Sequence, residues 1–91
     1  MANPTVTTNF TAIAATTTVS KLVRENVARK ELIITNTSTA PLYLAFGELP
    51  SSTNYAVALP NQGTFFTESL DAVNGVWAAA GGGQAQITER L

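Results

Sequence analysis

Three carboxylates are the first residues of this sequence to consider for chemistry. Glu68 and Asp71 lie three positions apart, and Glu48 lies further upstream. A pair of carboxylates can carry out general acid–base chemistry, and oxygen ligands grouped in a loop can bind Ca²⁺. All three lie in or beside stretches rich in turn-forming residues, so we interpret them as solvated loop charges. They predict neither a catalytic pair nor a metal site.

The sequence contains no cysteine and no histidine. This composition excludes disulfides, thiol nucleophiles, thiolate and imidazole metal ligands, and histidine acid–base catalysis. The glycines at 81–83 could form a phosphate-binding loop, but such loops precede a helix, and a strand pattern follows here. We interpret them as a hairpin loop. We therefore expect no enzymatic activity, no catalytic residue, no cofactor and no bound metal ion.

Aromatic side chains offer a different chemistry, because the ring of a Trp or Tyr can stack on a sugar. Trp77 and Tyr43 are candidates, and Tyr55 is a third. A buried aromatic ring removes about 150 to 250 Å² of surface from water, which a small domain needs for its core. We expect Trp77 to fill the core, and a glycan site that uses these aromatic residues is the alternative.

The charge of the chain limits its partners. Charged residues make up 12% of the sequence, the net charge is -1 and the pI is near 5.1. Such a chain offers no positive surface to phosphate backbones, so we expect no nucleic-acid partner. Its low charge leaves much uncharged surface available to other proteins. We interpret Arg29, Lys30 and Glu31 as charges that keep a strand end hydrated.

The sequence predicts no membrane contact. No apolar run approaches the length of about 18 residues that a membrane-spanning helix requires. The start of the chain, at positions 1–5, lacks the basic first residues and the apolar core of a signal peptide. We expect a protein that is made and kept in solution.

The elements that position these residues are predicted most clearly at 29–47. Apolar residues alternate with others at 32–35 and at 42–46, which is the period of a half-buried strand. The segment 36–41 between them consists of short polar residues, an alanine and a proline, which reverse the chain. This pattern predicts a strand, a turn and a second strand.

Further alternating segments extend this pattern along the chain. They lie at 16–24, 55–59, 64–68, 76–78 and 85–91, and turn-forming residues separate the later ones. The first of them also fits a helix, because its valines are spaced four apart, but the three threonines that lead into it favour a strand. Asn74 and Gly75 are typical of a type I′ hairpin turn. About seven short strands predict an all-β fold, a single small antiparallel β-sandwich of the jelly-roll type.

One face of each predicted strand supplies the core. The expected core residues are Leu32, Ile34, Leu42, Leu44, Phe46, Val57, Leu59, Phe65, Trp77 and Ile87.

The first twenty residues carry no charge and include seven threonines, so they cannot form a core of their own. They form either a frayed tail or an extended arm that docks on a neighbouring subunit. We expect the arm, over 1–16, followed by a β-sandwich domain over 17–91. Phe10, Ile13 and Val19 are its predicted contact residues, with Phe10 and Ile13 anchoring it in apolar pockets.

Four segments of the chain share a pattern with known proteins. They are the strand–turn–strand segment at 29–47, Leu-Pro-Asn-Gln-Gly at 59–63, Gly-Val-Trp-Ala at 75–78 and Ile-Thr-Glu at 87–89. Over 17–91 the chain resembles small accessory structural proteins of tailed bacteriophages, such as capsid decoration or cement proteins. The resemblance implies a β-sandwich virion component, assembled in the host cytoplasm and bound to the major capsid protein on the capsid surface.

Two function classes follow from these expectations. The first is a structural protein that stabilises the phage head as a homo-oligomer, most simply a trimer because capsid lattices offer three-fold positions. Its oligomerisation also follows from a thin core and open sheet edges in a chain of 91 residues. The second is a tail or head-fibre module that recognises a host by binding a surface glycan.

Overall fold

The computed structural model describes residues 8–91, so positions 1–7 of the predicted arm lie outside the described residues. Within 8–91 the chain forms eight strands and no helix. β-Branched and aromatic residues fit the half-buried surface of a sheet, and segments rich in Gly, Pro, Asn and Ser separate several of the strands. In chain order the strands are β1 (Thr8–Ala14), β2 (Ser20–Val23), β3 (Glu31–Asn36), β4 (Leu42–Phe46), β5 (Val57–Leu59), β6 (Thr64–Thr67), β7 (Val73–Trp77) and β8 (Gln84–Arg90).

The eight strands form two four-stranded sheets in which every pair is antiparallel. Sheet A has the order β1-β8-β3-β6, and sheet B has the order β2-β7-β4-β5. This is the strand order of an eight-stranded jelly roll. The predicted all-β sandwich is confirmed, with eight strands among the described residues where about seven were expected, because 8–14 forms a strand.

The core lies between the two sheets and contains all ten predicted residues, seven of them buried and three partly buried. The buried ones are Leu32, Ile34, Leu42, Leu44, Leu59, Trp77 and Ile87, and the partly buried ones are Phe46, Val57 and Phe65. Leu22, Val73, Ala40 and Ala85 complete the buried cluster. The alternation of each strand therefore identified the face that packs inward.

Two predicted reversals connect the sheets instead of closing a hairpin within one sheet. The segment 36–41 leads from β3 in sheet A to β4 in sheet B, and the glycines at 81–83 lead from β7 in sheet B to β8 in sheet A. The hairpin interpretation of the glycines is wrong. Gly83 is needed for close approach, because its φ is +101° and a Cβ there would lie 2.7 Å from the Cα of Ser38.

The predicted type I′ turn at Asn74 and Gly75 is also wrong. Both residues lie inside β7, where Asn74 is opposite Ala45 and Gly75 is opposite Leu44. A Cβ on Gly75 would lie 2.8 Å from Cδ1 of Leu22, so the glycine makes room for a core leucine. Packing, and not turn geometry, requires this glycine.

Asn36 links the end of β3 to three other parts of the core. Its Nδ2 donates to the carbonyls of Ala40 and Leu59 at 2.9 and 3.0 Å. Its Oδ1 accepts from the backbone N–H of Ser38 and from Nε1 of Trp77 at 3.0 and 3.1 Å. Trp77 is 1% exposed, so the prediction that it fills the core is confirmed.

Arg29 does not keep a strand end hydrated, because its side chain is fully buried. Its Nε donates to Oε2 of Glu89 at 2.8 Å, and its Nη1 donates to the carbonyls of Ser69 and Asp71 at 2.9 Å. Its Nη2 donates to the carbonyl of Arg24. A buried guanidinium needs such partners, and here they tie two loops to the end of β8.

Candidate interaction surface

Among residues 8–91, β1 forms an edge of sheet A and is the longest of the four edge strands. It pairs with β8 without a register shift, from Thr8 opposite Arg90 to Ala14 opposite Gln84. Its seven residues include no charge and no proline, and six of them are exposed. Within residues 8–91, β8 is its only strand neighbour. The other side of β1 therefore presents a row of backbone groups that another strand could pair with.

The predicted boundary between an arm at 1–16 and a sandwich at 17–91 requires a correction. Residues 8–14 belong to sheet A of their own chain, and the N–H of Ala15 extends the contact to the carbonyl of Gly83 at 3.2 Å. This uncharged strand needs no core of its own, because it can use the hydrogen bonds that β8 offers.

The three predicted contact residues do not form one surface. Phe10 and Ile13 are three positions apart on a strand, so they lie on opposite faces. Phe10 faces out and is 79% exposed, whereas Ile13 faces in and packs against the core. Val19 lies before β2 in sheet B and is 36% exposed. Phe10 is therefore free to contact a partner, and Ile13 anchors β1 to its own chain.

A cleft of about 580 Å³ separates β1 from the edge of sheet B. Thr11 and Ile13 line it from β1, and Leu22 and Val23 line it from β2. Because this gap leaves Thr11 exposed, β1 is held mainly by its hydrogen bonds to β8 and by Ile13.

The outer face of sheet A carries an uncharged row of residues across all four strands. Phe10 is opposite Thr88, Thr88 is opposite Ile33, and Ile33 is opposite Phe66. Phe66 is 53% exposed. The two exposed phenylalanines therefore lie at opposite edges of the same sheet and in the same row. The next row is also uncharged and consists of Ala12, Gln86, Thr35 and Thr64.

The edges of sheet B are less suited to pairing. β2 carries Lys21, and its register with β7 shifts between Lys21 and Val23. β5 has three residues and is followed by Pro60, which lacks a backbone donor. A charge, a bulge and a short strand are the usual protections of a sheet edge.

The three carboxylates considered for chemistry lie in loops, outside the strands. Glu48, Glu68 and Asp71 are all exposed, as expected of loop charges. In the part of the chain that the structure describes, no group of three or more Asp and Glu side chains is arranged to hold a metal ion. No helix within 8–91 could span a membrane.

Of the aromatic residues, only the tyrosines remain candidates for stacking on a sugar. Trp77 is buried and donates to Asn36. The rings of Tyr43 and Tyr55 lie 4.9 Å apart, and Tyr55 is 46% exposed. Tyr55 also lines a cleft of about 330 Å³ with Glu48 and Asn54.

Comparisons with known proteins yield a structural likeness. No protein-family model matches the sequence, and no curated protein matches it. The fold is similar to a chain from the disulfide-linked pili that form Bacillus endospore appendages, with a TM-score of 0.54 and 18% sequence identity. The match covers 98% of this chain and 89% of that chain. At this identity the likeness concerns the fold.

Proposed function

We propose that this chain is a non-enzymatic structural subunit that associates with copies of itself and binds a larger protein shell. In its specific form it is a decoration or cement protein that binds the major capsid protein on a phage head and forms a homo-oligomer, with a trimer as the closed form. The observation that carries the proposal is the open edge of β1, seven residues long, uncharged and unbroken in register.

Such an edge is a physical reason for association. Natural sheets protect their edges with lysines, prolines, bulges or short strands, since unprotected edges pair with other chains. β2 and β5 show these protections and β1 shows none of them. Strand addition supplies backbone hydrogen bonds without demanding particular side chains. A subunit of an ordered assembly can therefore use β1 for that purpose.

The similar fold of a pilus protein supports a role in assembly without identifying the assembly. That chain comes from disulfide-linked pili. The present sequence has no cysteine, so its copies cannot be joined in the same way. Contacts between its copies would form without disulfides, through sheet edges and exposed apolar residues.

Copy number and self-association test this proposal. A decoration protein is present in hundreds of copies on each particle, so it forms a strong band when purified particles are run on a denaturing gel. The isolated chain should also increase in mass with concentration in sedimentation experiments. A chain that is monomeric at every concentration and absent from the particle surface would contradict the proposal.

Glycan recognition by a tail or head-fibre module is the second candidate function. It rests on the tilted pair of Tyr43 and Tyr55 and on the cleft beside Tyr55, since aromatic rings stack on sugars. A panel of host surface glycans, titrated against the wild-type chain and a Tyr55→Ala variant, tests it. Binding that Tyr55→Ala abolishes would favour this function, together with a low copy number on particles.

A further inference from the structure

The two outer strands of sheet A point in opposite directions. The sheet has four strands, and each neighbouring pair is antiparallel. β1 and β6, at its two edges, therefore run antiparallel to each other. When a second copy is placed beside β6 by translation across the sheet, its β1 lies antiparallel to β6. The orientation that an antiparallel ladder requires is thus built into a head-to-tail contact.

The register of the sheet also aligns the side chains of the two edges. Phe66 and Phe10 lie in the same row, and Thr64 lies in the same row as Ala12. Extending these rows into a second copy places Phe66 opposite Phe10 of that copy on the outer face. Aromatic pairs at opposite positions stabilise sheets, and no charge occurs in β1 or β6 to oppose the contact.

On this basis we propose that the copies join head to tail, with β6 of one copy pairing with β1 of the next in one continuous sheet. This inference rests on the proposed function and names its contact. Phe66 and Phe10 form a cross-strand pair that the free subunit leaves 53% and 79% exposed. Because the two edges are different surfaces, repetition gives a ring if the rotation closes and a chain if it does not.

A complementation experiment tests the contact. Phe10→Lys blocks the β1 edge and leaves β6 intact, and Phe66→Lys does the reverse. The dissociation constant of each variant alone should be at least about tenfold higher than that of the wild type, when mass is measured against concentration by sedimentation. An equimolar mixture of the two should form a discrete dimer, because one intact β6 edge and one intact β1 edge remain.

Two sets of controls keep the experiment decisive. Val27→Lys adds the same charge at a side chain that is 90% exposed and lies outside every strand, and it should associate as the wild type does. Phe10→Thr and Phe66→Thr remove the aromatic pair without adding charge, so they replace any lysine variant that fails to fold by circular dichroism.

The outcomes separate this contact from the wider proposal. If the wild type associates while the mixture stays monomeric, or if Phe66→Lys associates like the wild type, the contact lies elsewhere and the inference is overturned, whereas the structural role stands. Dimers formed by Phe66→Lys alone would indicate a two-fold contact between β1 strands. A wild type that never associates overturns the inference, and it overturns the structural role as well if the chain is also absent from the particle surface.

Discussion

The outer faces of the two sheets differ in what lies over them. On sheet B, the outward residues Ala45, Asn74 and Val76 are only 7%, 7% and 8% exposed, although they are not part of the core between the sheets. On sheet A, the outward residues Phe10 and Phe66 are 79% and 53% exposed. The same fold therefore covers one face and leaves the other open.

The cover of sheet B is the loop between β4 and β5. Nδ2 of Asn74 donates to the carbonyl of Glu48 at 2.7 Å, and the N–H of Ala56 donates to the carbonyl of Leu44 at 2.7 Å. Pro50 is buried between these two anchors. The loop is long because it spans the sheet face, and its hydrogen bonds satisfy polar groups that it buries.

This difference supports different roles for the two faces, stability for sheet B and assembly for sheet A. A chain with a thin core gains stability by covering one sheet face with its own loop, since each buried apolar residue adds hydrophobic stabilisation. The open face of sheet A keeps apolar side chains and an unprotected edge in water, which is unfavourable unless a partner covers them. The face that the chain leaves open is therefore the one we assign to assembly.

A charge placed on each face gives the sharpest test of this comparison. Val76→Asp should cost about 3 to 5 kcal/mol of unfolding free energy, because the loop leaves an unpaired carboxylate buried. Phe66→Asp, on the open face, should cost less than about 1 kcal/mol in the monomer. Urea unfolding followed by fluorescence of the single tryptophan measures both. Equal costs would mean that the loop does not cover sheet B in solution.

Substitutions in the core between the two sheets should lower stability whatever covers the outer faces. Leu44 is fully buried, and Leu44→Ala should cost about 2 to 5 kcal/mol through lost burial and the cavity left behind. Leu49, which is 73% exposed, supplies the matched control, and Leu49→Ala should stay within about 0.5 kcal/mol. A Leu44→Ala loss as small as that of Leu49→Ala would contradict the predicted and observed core.

The sequence predicted the strands and their inward faces because alternation is a local signal. Leu42 to Phe46 shows it without interruption, and the observed strand has those bounds. The sheet to which each strand belongs depends on contacts distant in sequence, which a local pattern does not show. The glycines therefore predicted a hairpin where the chain passes from β7 in one sheet to β8 in the other. The turn prediction at Asn74 and Gly75 was wrong for the same reason, since Leu22 and the loop over sheet B determine their surroundings.

The candidate surface was predicted only in part. The sequence indicated Phe10 because large apolar residues are rare in the uncharged start of the chain. Only the period of a strand shows that Phe10 and Ile13 lie on opposite faces, and the sequence predicted an arm there instead of a strand. The outward orientation of Phe66 was not predicted, although its neighbour Phe65 was assigned to the core. Alternation within 64–67 could have indicated that Phe66 faces out.

Releasing the loop should affect one face and leave the other unchanged. Asn74→Ala removes the donor to the carbonyl of Glu48 and should cost about 1 to 2 kcal/mol. Limited proteolysis should then cut 48–55 faster than in the wild type. Ser52→Ala, at an exposed position of the same loop, is the control and should change neither quantity. If the protease cut the loop of Asn74→Ala no faster than that of the wild type, another contact would hold the loop.

The smallest expected change in monomer stability carries the most information about the open face. Phe10→Thr replaces an exposed ring by a residue that favours strands, so the unfolding free energy of the dilute chain should stay within about 0.5 kcal/mol of the wild type. Association stabilises a folded chain by mass action, so the Tm of the wild type should rise with protein concentration. The Tm of Phe10→Thr should rise much less, because the variant lacks the aromatic contact. Calorimetry at several concentrations compares the two slopes, with Val27→Thr as the exposed control that should keep the wild-type slope. Identical slopes for Phe10→Thr and the wild type would show that the ring of Phe10 takes no part in assembly.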